Sequence, residues 1–497
     1  MTQAHTQASP GSQPIGRLMA ALLVGGITPI LDATIVAIGL HTLTVALDAP
    51  VSTIQWVSTG YLLALAIAIP FVSWAQARFG SKRLWLFALG LFVLGSALCA
   101  SAWNAPSLIA FRILQGFAGG IMFPLLQTIA MQSVPAESRT RTMANVSLPI
   151  ALGPILGPVL GGIVLNWLDW RWLFLINVPI GIIGWILAAV FLTDDAPDRD
   201  APRVRFDVFG AALLVPALGG LLYGLSKSYD AGGFGRPDVL IPCLGGAVLL
   251  IGFVVWAVRR AGDALVDVRL LAVRSVSVSS IALSFAGAVS FAGNFLLPLY
   301  FQALRGNSVL DAAFLLIPQG VGAFLARPVV GRLVDRYGTR AVSVGGFLLM
   351  AAATIPFAFA DSGTSLWLLG TVLFLRGFGN GIVLIPVMTV AYVDISRDRM
   401  PHASAITRIV QQLGGAFGTA LVAVVLTTQT TRVHPAAGFD AAFWLIVAFT
   451  VVAALAALLL PTRSATPARL SGGARTDGPG RGEPASPVTI AAEESAR

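Results

Sequence analysis

Apolar residues fill this chain in long blocks, and charged residues are confined to short intervals between them. Runs without a single charged side chain cover 49–77, 84–111, 113–136, 142–168, 172–193, 208–226, 239–258, 275–304, 341–360, 409–431 and 441–462. About 20 apolar residues suffice for a helix to cross the hydrocarbon core of a bilayer, so each run predicts one spanning helix. Three further apolar stretches carry or adjoin a single charge: 18–44 holds Asp32, 309–330 holds Arg327 and 364–390 holds Arg376. The pattern predicts an all-α polytopic membrane protein of fourteen helices, numbered spans 1 to 14 in chain order.

Composition agrees with that reading. Of 497 residues, 56% are hydrophobic and 11% charged, against about 25% charged in an ordinary soluble domain. The first stretch is too long for the apolar core of a secretory signal and carries Asp32, so it reads as span 1. Residues 1–16 and 462–497 are rich in Ser, Pro, Gly, Ala and Thr and predict disordered tails. Cys99 and Cys243 fall within spans and give no disulfide framework, and the histidines lack any metal-ligand spacing.

A net charge of +9 would suit a nucleic-acid partner, but the placement of the charge argues otherwise. One set of alternating inter-span loops holds 17 Lys and Arg, and the opposite set holds five. The basic side of a membrane protein faces the cytoplasm, which predicts cytoplasmic termini and a cell-membrane location. The lipid bilayer is then the expected partner, and no nucleic acid is needed to explain the basicity.

Three short segments recur in the same order. QGFAGGI (115–121) matches RGFGNGI (376–382), and LGPILGPVL (152–160) matches LGGAFGTAL (413–421), both at an offset of 261 residues. ARFGSKR (77–83) and DRYGTRA (335–341) match at an offset of 258. The chain therefore divides into a six-span half (17–194), an inserted pair of spans with its loops (195–273) and a second six-span half (274–461). Parallel repeats of this kind occur in transporters that bind substrate between their halves, near the bilayer midplane. Gly153, Gly157 and Gly161 recur every four residues and form a small-residue stripe suited to close helix approach. Pro154 and Pro158 remove backbone donors and bend the same helix. Span 5 is thus expected to be a close-packed, kinked helix where the halves meet. Its repeat mate keeps Gly414 and Gly418 but has no proline.

LDATIV (31–36), WVSTGYLLA (56–64), FRILQGFAGG (111–120), LGPILGPVLGG (152–162), WRWLFLINVPIG (170–181), FDVFGAALL (206–214), PLYFQALRG (298–306) and GRLVDRYGTR (331–340) carry a family likeness. Together they resemble the major facilitator superfamily, and within it the fourteen-helix drug:proton antiporters of the EmrB/QacA type. The resemblance covers about residues 17 to 461 and implies alternating access between two six-helix halves, with export driven by protons and no resident cofactor. Gly153, Pro154, Gly157, Pro158 and Gly161 then resemble the antiporter motif. The first basic-side loop, SWAQARFGSK (73–82), departs from the family pattern Gly-x-Leu-Ala-Asp-Arg-x-Gly-Arg-Lys. It has Ser73 for the Gly and Ala77 for the Asp, and keeps Arg78, Gly80 and Lys82. The second-half copy keeps Gly331, Asp335, Arg336, Gly338 and Arg340, so gate-closing charge contacts are expected there. In span 13, Arg408 and Gln411 stand where the family often has Asn and Arg.

Among 19 Asp and four Glu, only Asp32 lies well inside a span. An ionisable residue at such a place is costly and marks a pathway or proton relay by default. Hydrocarbon favours a neutral carboxyl and a nearby cation the charged form, so a carboxyl held between the two suits a proton carrier. Counted from Arg17, Asp32 lies about 21 Å along span 1, hence about 9 Å below the far edge of a core about 30 Å thick. Arg112 lies about 9 Å along span 4 from that same edge. The matching depths predict an interaction between Asp32 and Arg112, direct or through Gln115 or water. His41 falls on the opposite face of the helix. Arg376 reads as structural or gating, and Asn177 and Pro179 as structural.

Aromatic and amide side chains within spans supply cavity candidates: Trp56, Tyr61, Gln127, Asn145, Asn294, Tyr300 and Gln319. Such a lining suits hydrophobic or amphipathic small molecules, and an acidic Asp32 would admit cations. No Gly-x-x-x-x-Gly-Lys-Ser/Thr loop provides for an ATP-driven pump. An integral membrane enzyme or a sensor is a remote alternative, because no acid, base and metal ligands converge in the pattern. A dedicated exporter of one metabolite or antibiotic is the closer rival to broad drug efflux. The short loop at 428–440 shows no docking domain for a periplasmic adaptor.

Overall fold

The computed structural model describes residues 15–134, 142, 143, 146, 148–193, 206–230, 234–260, 264–361, 363–432 and 435–461. Asn145, most of both predicted tails and the side chains of His41, Pro154 and Pro158 lie outside the described residues. Every regular element among the described residues is helical. In chain order the helices are α1 (Ile15–Ala46), α2 (Val51–Ala68), α3 (Phe71–Phe79), α4 (Ser81–Ala100), α5 (Ala105–Gln132) and α6 (Leu148–Trp167). Next come α7 (Trp172–Leu175), α8 (Asn177–Phe191), α9 (Val208–Asp230), α10 (Pro237–Arg259) and α11 (Arg274–Leu299). The chain continues through α12 (Val309–Leu315), α13 (Ile317–Leu325), α14 (Arg327–Thr354), α15 (Leu366–Val390), α16 (Met400–Arg432) and α17 (Pro435–Ala457).

Among the described residues, eleven spans are long and apolar enough to cross a membrane, and α2 with α3 makes a twelfth, bent by 56°. The bend falls at Pro70, which has no backbone donor to continue the helix. The two other predicted spans also form helix. Span 5 is α6, 20 residues long, and span 10 is the short apolar segment Asp311–Leu325, interrupted at Leu316 ahead of Pro318.

The internal repeat is visible in the packing. In the first half α5 lies against α2 and α4, and α1 against α6 and α8. In the second half α15 lies against α13 and α14, and α11 against α16 and α17. Glycines set both arrangements. A Cβ at Gly116 would come within 2.9 Å of the Tyr61 Cα on α2, and one at Gly377 equally close to the Gln319 Cα on α13. Gly120 and Gly381 meet the backbone of Leu65 and Ala323 in the same way. Gly80 and Gly338, the matching glycines of the loop repeat, share φ/ψ of 82°/161° and 80°/160°. That left-handed conformation favours glycine.

The stripe on α6 serves close helix approach within its own half, and α6 itself stands where the halves meet. Gly153, Gly157 and Gly161 face Ile30, Thr34 and Ile35 of α1, within their own half. Gly414 and Gly418 face Ser284 and Ala288 of α11, again within one half. Contact with the other half runs instead from α6 to α12 and α13. The halves also meet where α16 reaches α5 and α3.

The inserted pair forms a close hairpin, with Gly220 and Gly224 of α9 against the backbone of Pro242 and Val239, and Gly246 of α10 against Ala217. α9 touches both α2 and α16, while α10 exposes Ile241, Leu244, Val248 and Ile251, an apolar face suited to lipid. The buried Asp207 anchors the pair. It accepts from the Gly210 and Leu265 backbone N–H groups and from Trp256 Nε1, with Arg260 at 3.6 Å.

Candidate functional site

The glycine-rich middle of α5 brings four neighbouring helices, α1, α2, α4 and α8, together around one carboxylate. An Asn104–Ser107 capping box fixes where α5 begins, and Arg112 and Gln115 follow within its next turns. Gly95 on α4 lies so close to Gln115 that a Cβ there would be 2.9 Å from the Gln115 Cβ, so the next residue, Ser96, reaches the amide. Gly119 leaves room for Tyr61 and Pro29. Pro29 has no N–H to give the Gly25 carbonyl, and Thr28 Oγ1 donates to that carbonyl instead at 2.7 Å.

Asp32 is fully buried and Arg112 is 1% exposed; Arg112 Nη1 donates to Asp32 Oδ2 in an ion pair. Gln115 Nε2 donates to Asp32 Oδ1 at 3.0 Å and to Ser96 Oγ at 2.7 Å. Asn177 Nδ2 on α8 donates to Asp32 Oδ1 at 2.8 Å. Arg112 also donates to Gln115 Oε1 and, through Nε, to the Val57 carbonyl. Its guanidinium lies 4.0 Å from the centre of the Tyr61 ring and 5.7 Å from that of Phe174. Tyr61 in turn donates to the Pro29 carbonyl at 3.0 Å. A buried charge is tolerated when paired and hydrogen-bonded, and here one cation and two amides satisfy the carboxylate.

The depth argument for Asp32, Arg112 and Gln115 thus corresponds to direct contact. Asn177, read from the sequence as structural, is a direct partner of Asp32. It lies in the run WRWLFLINVPIG, where Trp170 is buried and packs edge-on to Phe174, and it opens α8. Ser96 was also missed, since a single Ser in an apolar run has no distinguishing pattern.

The cavity candidates scatter. Tyr61 joins the Asp32 cluster, and Trp56 stacks on Tyr223 of α9 at 5.8 Å. Tyr300 is a packing residue, ringed by Phe301, Phe357, Phe439 and Phe443, with its hydroxyl on the Asp361 carbonyl. Asn294 is exposed on α11. Gln127 is buried beside Met388 of α15, one of several contacts across the halves. Gln319 accepts from Arg376 Nη1 at 2.8 Å, so the two second-half polar residues act on each other.

The expected charge lock at the basic loops is not formed among the described residues. Asp335 and Arg336 are exposed, and Arg336 lies over the Tyr337 ring. Arg340 Nε donates to the Leu460 carbonyl at 2.7 Å, Gly331 has open space about it, and Arg78 lies over Phe79. Lys82 is half-buried. In the first half the loop is tied by a neutral group instead: Gln76 Nε2 donates to Ser81 Oγ at 2.8 Å and to Gln132 Oε1 at 3.2 Å.

Comparison with known proteins adds a family. Residues 16–419 match the model described as the Major Facilitator Superfamily. The chain is 36% identical over 400 residues to the "Multidrug resistance protein B homolog" of Mycobacterium tuberculosis, covering 80% of this chain and 74% of that one. It is 30% identical over 449 residues to the "Uncharacterized MFS-type transporter YcnB" of Bacillus subtilis, covering 89% and 93% respectively. Among solved structures, the human organic anion transporter MFSD10 (TETRAN) superposes with a TM-score of 0.64 over 89% of this chain and 99% of its own. At 18% identity that likeness concerns the fold alone.

Proposed function

The chain belongs to the Major Facilitator Superfamily and is a multi-pass membrane transporter, and from that premise we propose that it is a proton-coupled exporter of hydrophobic or amphipathic small molecules. In this reading it is of the fourteen-span EmrB/QacA type, with α6 and the broken α12–α13 segment completing the count. Both termini lie in the cytoplasm, and no resident cofactor is used. The names of relatives as multidrug resistance proteins favour drug efflux over transport of one metabolite.

One observation carries the coupling: the fully buried Asp32 is held by a cation and two neutral amides. A carboxylate in that setting can exchange its ion pair for a proton. Protonation from outside dissolves the pair with Arg112, loosens the packing of α1 on α5, and favours release of substrate on that side. Proton loss inward restores the pair and the empty site. Each entering proton supplies about 2.3 kcal/mol per 100 mV and about 1.4 kcal/mol per unit of pH difference, enough for uphill expulsion. Arg112 sets the charge balance of Asp32, and Gln115 and Asn177 position its oxygens.

The test is substrate-driven proton movement in proteoliposomes, with Asp32→Asn beside the native chain. Asparagine keeps the shape but cannot titrate, so proton flux should fall at least about a hundredfold while the protein remains folded. Coupled transport at the native rate in that variant would refute the mechanism.

A further inference from the structure

Arg112 is held by more than the carboxylate it pairs with. Its Nε donates to the Val57 carbonyl at 3.0 Å and its Nη1 to Gln115 Oε1 at 2.7 Å. The guanidinium carbon lies over the face of Tyr61, 4.0 Å from the ring centre, and 5.7 Å from the centre of Phe174. Val57 and Tyr61 stand one turn apart on α2, so that helix grips the cation twice. The bond to Asp32 joins it to α1. Packing follows the same division, since α5 lies extensively along α2 and only lightly along α1.

Tyr61 is itself fixed at both ends. It is 1% exposed, and its hydroxyl donates to the Pro29 carbonyl, three residues before Asp32. Gly116 of α5 packs on its backbone, and a Cβ at Gly119 would lie 3.2 Å from its hydroxyl oxygen. A ring held in this way stays on the guanidinium. At the matching place in the second half an amide replaces the ring: Gln319 faces Gly377 as Tyr61 faces Gly116, and it accepts from Arg376. The aromatic face accompanies the half that carries the buried acid.

Charge balance gives the ring a part in the proton cycle. While Asp32 is ionised, it and Arg112 form a neutral pair, and the ring feels the field of a dipole. A proton added to a carboxylate oxygen of Asp32 leaves the guanidinium as an uncompensated cation away from water. The attraction of an aromatic face for a cation grows as that cation is stripped of water and counter-charge. The other titratable groups acting on Arg112 are Tyr61 and Cys99 of α4, whose Sγ lies 3.6 Å from Gln115 Oε1. A phenol and a thiol stay neutral in an apolar setting, as are Ser96, Gln115 and Asn177. The ring therefore favours the protonated site over the ion pair.

We propose that Tyr61 is a positioning residue of the proton cycle, its ring face holding the Arg112 guanidinium in place while Asp32 carries a proton. The inference rests on Asp32 as the proton carrier. It implies that Arg112 stays with α2 and α5 throughout, and that α1 is the helix released.

The experiment follows the carboxyl of Asp32 by infrared difference spectra of the full chain in nanodiscs titrated with acid, its band assigned by loss in Asp32→Asn. Tyr61→Leu should move the midpoint of that band about one pH unit lower, the size of a desolvated cation–π contact. Tyr61→Phe keeps the face and should move it by less than about 0.3 unit. Phenylalanines bearing one, two and three ring fluorines at the same position keep the size of the ring and weaken its face. The midpoint should then fall stepwise with fluorine number, which keeps the test available if Tyr61→Leu fails to fold. A midpoint in Tyr61→Leu less than about 0.5 unit below the native one, a Tyr61→Phe shift as large as that of Tyr61→Leu, or a fluorinated series without trend overturns the role of the ring. Native coupled transport in Asp32→Asn, with the Tyr61 shifts intact, would instead refute Asp32 as the carrier and leave the contact of ring and guanidinium standing.

Discussion

The two halves share one backbone plan and differ in where they put charge. Contacts define the equivalences. Gly116 meets Tyr61 as Gly377 meets Gln319, and Gly157 meets Thr34 as Gly418 meets Ala288. By that register Ala286 occupies the place of Asp32, Arg376 that of Gln115, and Gln319 that of Tyr61. The first half therefore holds a neutralised carboxylate–guanidinium pair, and the second holds a guanidinium with only amide and carbonyl company. Glycine at helix crossings fixes the geometry, and the side chains hung on that geometry are free to diverge. A repeat in glycines is evidence for a shared frame and says nothing of a shared reaction.

The sharpest way to break this comparison is to remove one charge from each half. Asp32→Ala strands a buried guanidinium, and loss of one partner from a buried pair costs about 3–5 kcal/mol. Thermal unfolding in detergent should show a large drop. Arg376→Met removes a cation that has no counter-charge, so it should cost no more than about 1 kcal/mol and can raise stability. Equal losses in the two variants would mean that Arg376 is balanced by a group of the protein after all.

A smaller effect should be the same on both sides. Gly116→Ala and Gly377→Ala each place a methyl group against facing backbone, which side-chain rotation cannot relieve. Overpacking of that kind costs about 1–3 kcal/mol, and the two values should agree within about 1 kcal/mol. A tolerated Gly377→Ala beside a damaging Gly116→Ala would show that the halves do not share the frame inferred from their repeat.

Most of that frame is legible in the sequence because its causes are local. Uncharged runs mark spans, and the offset of 261 residues aligns α5 with α15 and α6 with α16. Asp32 and Arg112 could be paired by depth, since rise per residue and bilayer thickness are fixed. The contact register of α1 with α11 differs from that offset, Thr34 corresponding to Ala288, and no sequence match signals it. The same limit hides Asn177 and Ser96. Amides and hydroxyls occur throughout apolar helices, and only the crossing geometry tells which of them reaches a carboxylate. Tyr300 errs in the opposite direction, because hydropathy is the same for an aromatic ring in a cavity and one packed among four phenylalanines.

The basic-side loops give the smallest and most selective test. Gly80 and Gly338 have nearly identical backbone angles, yet the residues beside them behave oppositely. The loop that lost its acid, with Ala77 in that place, is tied to α5 through the buried amide of Gln76 and Gln132. The loop that kept Asp335 leaves it exposed, where charge contacts contribute little. Gln76→Ala should then cost about 1 kcal/mol by loss of a buried hydrogen bond, and accelerate hydrogen exchange at the end of α5. Asp335→Asn should change stability by less than about 0.5 kcal/mol. If Asp335→Asn instead alters transport while Gln76→Ala does not, the acid acts in a conformation where the loops approach each other, and the neutral tie is only packing. The comparison would then hold for the resting geometry of the two loops and fail for their part in the cycle.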